Sequence, residues 1–198
     1  GRIAKGQQVT LTVDADKRRA TACNHTATHL LHAALRQVLG EHVKQAGSLV
    51  APDRLRFDFS HFSQVEPDAL ERIESMVNAG IRANVAVDTE EMAAEQALQS
   101  GAMALFEEKY GDRVRVVALA DLSKELCGGT HVGRTGDIGL FKIVAETSVA
   151  AGVRRIEALT GAAALAYVQE AVRTGQKIGQ LLRVKADEVV ARVEQLLS

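Results

Sequence analysis

Tryptophan is absent and only two prolines occur in 198 residues, so Pro-rich linkers and low-complexity spacers are excluded. Cysteine is almost as scarce. The two thiols, Cys23 and Cys127, make no disulfide framework and fit a reducing compartment, so a cytoplasmic location is expected. No stretch approaches the roughly 18 consecutive apolar residues a membrane span needs, and no signal-peptide pattern opens the chain, so no membrane partner is expected. Nor is there an excess of charge of either sign. With 24 Lys and Arg against 25 Asp and Glu, the formal net charge is −1, which argues against coating nucleic acid through bulk electrostatics. Local basic clusters at Lys17-Arg18-Arg19, Arg113/Arg115 and Arg154-Arg155 read as solvated faces unless they converge in space.

What the chain does have is 46% apolar and 25% charged residues, the profile of a folded globular domain, and four potential metal ligands in two matched pairs. His25 and His29 stand four apart in Asn-His-Thr-Ala-Thr-His, and Cys127 and His131 stand four apart in Cys-Gly-Gly-Thr-His. Two imidazoles at that spacing share a helix face and can reach one ion. A thiolate and a third imidazole from a Gly-rich turn would complete a tetrahedral set of three nitrogens and one sulfur suited to Zn2+. A metalloprotease is excluded, because the residue after the first histidine is Thr26 and not the Glu that acts as its general base. His32 has no second ligand to pair with and reads as an ordinary helix-surface histidine.

Leu30, Leu31, Ala34, Leu35, Val38 and Leu39, stopped by Gly40, predict a helix from about Asn24 to Leu39, with His25 and His29 off the centre of its apolar stripe. Residues 7–13 alternate like a strand and suggest the tail of a preceding β domain. Val43–Val50 and Leu55–Phe59 flank a turn at Pro52-Asp53 and predict a hairpin. A second helix is expected from Pro67 to near Asn84, then a short strand over Val85–Asp88 and a helix over Glu90–Leu98. Strands are expected over Arg113–Leu119, Ile138–Glu146 and Arg154–Leu159. The lack of regular βαβ alternation predicts an α+β fold with a mixed or mainly antiparallel sheet packed with helices. From Gly161 an Ala-rich helix to about Leu182, and another from Val189, form a C-terminal helical connector whose apolar stripe is expected to pack on the core rather than on a partner helix.

These motifs give the chain a close resemblance to the editing domain of bacterial alanyl-tRNA synthetases. It is carried by Asn-His-Thr-Ala-Thr-His-Leu-Leu at 24–31, Gln-Ala-Gly-Ser-Leu-Val at 45–50, Leu-Arg-Phe-Asp-Phe at 55–59 and Gly-Ala-Met-Ala-Leu-Phe at 101–106. Leu-Cys-Gly-Gly-Thr-His at 126–131, Thr-Gly-Asp-Ile-Gly-Leu-Phe at 135–141 and Gly-Val-Arg-Arg-Ile-Glu-Ala at 152–158 follow in order. The threonyl-tRNA synthetase editing domain and free-standing alanyl-tRNA deacylases share the ligand skeleton more loosely. The resemblance implies a parent enzyme that joins alanine to tRNA(Ala) with ATP and Mg2+ bound outside these residues. It implies that this part hydrolyses mischarged Ser-tRNA(Ala) and Gly-tRNA(Ala), engaging mainly the aminoacylated 3′ end. Residues 1–20 are then the tail of a preceding β domain, 21–160 the editing domain, and 161–198 a helical linker towards a C-terminal oligomerisation domain.

On that reading His25, His29, Cys127 and His131 hold Zn2+, which activates water or orients the substrate amino group. Cys127, Gln45 and Thr28 are the expected catalytic set, and Thr28 has the competing reading of a back-bonding helix hydroxyl. Gly128 and Gly129 are expected at the oxyanion through their amides, and Arg154 and Arg155 at the terminal adenosine or its phosphates, with strand alternation turning one of them inward. Two rivals stay open: a free-standing deacylase acting in trans, and a zinc-stapled RNA-binding module without chemistry.

Overall fold

The computed structural model describes residues 4–104 and 111–198; of the matching stretches, only Leu105 and Phe106 lie outside the described residues. Helix α1 spans Ala15–Leu39, nine residues longer at its start than the apolar spacing indicates. The reason is its cap: the Asp14 carboxylate accepts from Lys17 N–H at 3.0 Å and satisfies one of the orphan donors of the first turn. The expected boundary at residue 20 therefore falls inside a continuous helix. Residues 7–13 form no strand and are exposed; among the described residues no strand stands beside them to complete a ladder.

A four-stranded antiparallel sheet in the order β1-β2-β7-β6 carries α1 on one face. Its strands are β1 (Gln45–Val50), β2 (Leu55–Ser60), β6 (Phe141–Ala150) and β7 (Val153–Thr160). The period-two pattern of β2 sends Leu55, Phe57 and Phe59 inward, each fully buried. They meet Leu31 and Leu35 of α1, Ile73, Val77 and Ile81 of α2 (Pro67–Arg82), and Phe141 and Ile156 of the sheet in one core. At about 1.5–3 kcal/mol for each large side chain, this burial is what holds α1 against the sheet.

A second antiparallel sheet, β3-β4-β5, is built from Asp88–Ala93, Arg113–Leu119 and Ser123–Leu126. β4 is buried on both faces. Val117 and Leu119 enter the main core, while Val114 and Val116 pack with Met92, Ala97, Ala102 and Leu126 in a smaller one. Two sequence expectations shift here. Residues 88–93 pair with β4 as a strand, leaving only Ala94–Gln99 as helix α3, and β5 appears where no strand was expected. Ladder pairing with β4 decides both, and it is non-local.

Helix α4 (Gly161–Leu182) and helix α5 (Val189–Leu197) follow as expected, but core packing fails beyond the first turn. Ala164 is buried, whereas Val172 and Leu181 are exposed and α5 buries no residue. The secondary structure is therefore α+β, with every strand pair of the two sheets antiparallel.

Candidate metal centre and its cleft

The two ligand pairs converge. One ligand atom each from His25, His29, Cys127 and His131 lies within 4.8 Å of the other three. Cys127 Sγ stands 3.4 Å from His25 Nε2 and 3.3 Å from His131 Nε2. The histidine pair sits on adjacent turns of α1; the other pair hangs on the turn leaving β5. Arg115 of β4 pins that turn, donating to the carbonyls of both Cys127 (3.2 Å) and Gly129.

The imidazoles are held from behind. His29 Nδ1 donates to Glu125 at 2.5 Å, and His131 Nδ1 lies 3.2 Å from the Thr26 hydroxyl, which also accepts from Val132 N–H. His29 Nε2 is buried without a hydrogen-bond partner in the chain. An orphaned, fully buried nitrogen facing a thiol and two further imidazoles fits a soft or borderline cation such as zinc.

The electrostatics agree. Burial works against a thiolate at Cys127, but hydrogen bonds from His131 and His25 and the neighbouring imidazole of His29 outweigh it and hold the thiol at about 3. Burial likewise disfavours charge on His29, yet the neighbouring Cys127 and the hydrogen bond to Glu125 raise it to about 9. His131 is pushed down by burial, with the charges of His25 and His29 adding to the effect. Anions on both sides of His29 thus draw positive charge to the centre of the cluster.

A cleft of about 520 Å³ opens beside the cluster, lined by His25, Thr28, His29, Gln45, Ser48, Arg113, Cys127, Gly128 and Gly129 among others. Gln45 gets there through a bulge. The register steps from Gln45↔Phe59 to Gly47↔Asp58, so Ala46 is the extra residue. Without it, alternation would place Gln45 opposite to Ser48 and Val50; with it, all three face α1. Thr28 lines the cleft, and its hydroxyl donates to Asn24 C=O at 2.9 Å as a back-bonding helix hydroxyl does.

Arg154 and Arg155 are not brought to the cleft. Arg154 forms a bidentate pair with Glu146 (2.6 Å to each oxygen) and Arg155 one with Asp58 (2.6 and 2.7 Å), across adjacent strands. The arginines that reach the cleft are Arg113 and Arg115, which alternation places on one face of β4. His32 is also corrected: it is 2% exposed, not a surface residue, and donates from Nδ1 to Glu125 at 2.9 Å. Glu125 itself escaped sequence reading. Its only signal is an acidic residue at an inward position of a short strand, two residues before Cys127.

Residues 114–157 match the family described as "Threonyl and Alanyl tRNA synthetase second additional domain". The alanine–tRNA ligase of Desulfosudis oleivorans is 60% identical over 198 residues, all of this chain and 23% of that protein. The chain thus matches a segment of alanine–tRNA ligases along its whole length. The ligase of Halorhodospira halophila is 61% identical over 196 residues, covering 99% of the chain and 23% of the relative, and that of Aromatoleum aromaticum 57% over 197 residues. The chain thus spans less than a quarter of the length of these relatives.

Proposed function

We propose that this segment is the editing centre of an alanine–tRNA ligase, hydrolysing the ester of Ser-tRNA(Ala) and Gly-tRNA(Ala). The observation that carries this is the convergence of His25, His29, Cys127 and His131, the first three of which line a cleft shared with Gln45 and Thr28. An alanine pocket discriminates against glycine or serine by only about 10- to 200-fold through binding, so a second, hydrolytic site is needed. Zinc held by the four ligands would supply either Lewis-acid polarisation of water or an anchor for the substrate amino group.

The chain's own residues do the rest. Gln45 and Thr28 present polar atoms to the side chain of the misattached amino acid, so serine pairs with groups that alanine would leave unsatisfied. The backbone N–H groups of Gly128 and Gly129, which line the cleft and donate to no backbone partner among the described residues, are the donors assigned to the developing oxyanion. Water adds to the acyl carbon, the bond to the ribose oxygen breaks, and that oxygen regains a proton. Arg113, exposed at the rim, supplies positive charge where the tRNA 3′ end arrives. The partner is tRNA(Ala), and ATP and Mg2+ serve the parent enzyme elsewhere in a cytoplasmic protein; among the described residues no helix is long and apolar enough to cross a membrane.

The test is deacylation of Ser-tRNA(Ala) against Ala-tRNA(Ala) by this protein. Faster hydrolysis of the seryl ester, with the preference weakened by Gln45→Ala, supports the reading. RNA binding without hydrolysis of either ester would favour the zinc-stapled module instead.

A further inference from the structure

Among the described residues Glu125 is the most deeply buried carboxylate near the cluster, with its residue 1% exposed. A lone carboxylate there would cost several kcal/mol. Three donors offset that cost: His29 Nδ1 at 2.5 Å to one oxygen, and His32 Nδ1 at 2.9 Å and Ser123 Oγ at 3.2 Å to the other. The two histidines come from adjacent turns of α1 and grip one residue of β5, so this contact also locks the helix to the strand that carries Cys127.

The geometry selects a tautomer. An anionic Glu125 can only accept, so both Nδ1 atoms carry hydrogens. The neutral form of His29 then has its Nε2 lone pair on the side facing Cys127, His25 and His131. His32 Nε2 is buried and without a partner, while its Nδ1–H is taken up by Glu125. It serves as a brace on the carboxylate and not as a fifth ligand.

We infer that Glu125 is a positioning residue that fixes His29 in the Nδ1–H tautomer and aims its Nε2 at the cation, with His32 and Ser123 holding the carboxylate in place. The inference deepens the proposed editing site by assigning what orients one of its ligands, and its tests do not require hydrolysis.

The decisive variant is Glu125→Gln, which keeps the shape but cannot accept from both imidazoles through both of its heteroatoms. The amide nitrogen faces one Nδ1–H and forces a flip or a lost bond. Zinc affinity, measured by competition with a chromophoric chelator, is expected to fall about 10- to 100-fold, as for other outer partners of ligating histidines. Long-range nitrogen–proton NMR correlations read the tautomer directly in the metal-free protein, at a pH high enough for His29 to be neutral. They are expected to show Nδ1–H at His29 in the wild type and a mixed or reversed tautomer in the variant. A double-mutant cycle separates this from general loosening: in a His29→Ala background, Glu125→Gln should change zinc affinity little further. Should Glu125→Gln not fold, His32→Leu keeps the Glu125–His29 pair and is expected to lower zinc affinity by a smaller factor.

Unchanged zinc affinity together with an unchanged His29 tautomer in Glu125→Gln overturns the inference, as does an equal loss in the His29→Ala background. Weakened zinc binding in a protein that never hydrolyses Ser-tRNA(Ala) would uphold it while removing the editing assignment.

Discussion

The ring of His25 occupies the space a side chain on Gly129 would need: a Cβ built there would overlap both Cε1 and Nδ1 of the imidazole. The Cys-Gly-Gly-Thr-His turn thus wraps so closely over the first ligand that only glycine fits. At Gly128 an added Cβ meets nothing within 4 Å.

Two adjacent glycines therefore make opposite predictions. Gly129→Ala must push His25 or the turn aside and is expected to weaken zinc binding at least ~10-fold, since ligand geometry tolerates displacements of only a few tenths of an ångström. Gly128→Ala is expected to bind zinc as the wild type does. Equal affinities for both variants, measured by chelator competition, would show that the packing of His25 on the turn has no role.

Arg115 acts through the turn rather than on a ligand. Its guanidinium donates to the carbonyls of Cys127 and Gly129. Arg115→Met leaves those acceptors without their charged donor and is expected to cost about 1.5–3 kcal/mol of stability. Zinc is expected to recover part of the loss, because it binds only the folded arrangement. Denaturant melts with and without zinc measure both numbers.

The paired arginines predict a different outcome. Glu146 is 3% exposed at its side chain and Arg154 14%, so Arg154→Ala leaves a buried carboxylate without its charged partner and with only a long contact, 3.5 Å, from Val65 N–H. About 3–5 kcal/mol of stability should be lost, with little change in zinc affinity of the folded protein. A loss of zinc binding without destabilisation would place Arg154 in the site after all.

His61 makes stability depend on pH. It is buried beside His42, and burial, then the charges of His42 and Arg154, push its value below the ordinary 6.5. Above 6.5 both folded and unfolded chains hold it neutral and its contribution is complete. As the pH falls the unfolded chain binds the proton first, so stability is lost down through the depressed folded value. Chemical denaturation between pH 8 and 5 checks the sign; a His61→Gln variant should show a shallower decline.

The His/His/Cys/His cluster and its helix were legible because their parts are local: an i, i+4 pair on an apolar-periodic segment and a second pair on a glycine turn announce themselves in a few residues. The hairpin and α2 were legible for the same reason. What the residues could not show is what pairing across the fold decides. The bulge at Ala46 turns Gln45 to the cleft, β4 recruits residues 88–93 into a strand, and Glu146 and Asp58 capture the arginines at 154 and 155. His32 has the spacing of a surface histidine and becomes a core residue only because Glu125 arrives from a strand 93 positions away.

The most direct test of the central claim is zinc stoichiometry and deacylation of Ser-tRNA(Ala), measured on the same preparations of wild type and Cys127→Ala. The wild type is expected to carry one zinc per chain and to hydrolyse the seryl ester in preference to the alanyl ester. Cys127→Ala is expected to stay folded, bind zinc weakly and lose that activity. A Cys127→Ala protein that hydrolyses Ser-tRNA(Ala) at the wild-type rate, or a wild type that binds no zinc and hydrolyses neither ester, would contradict the account.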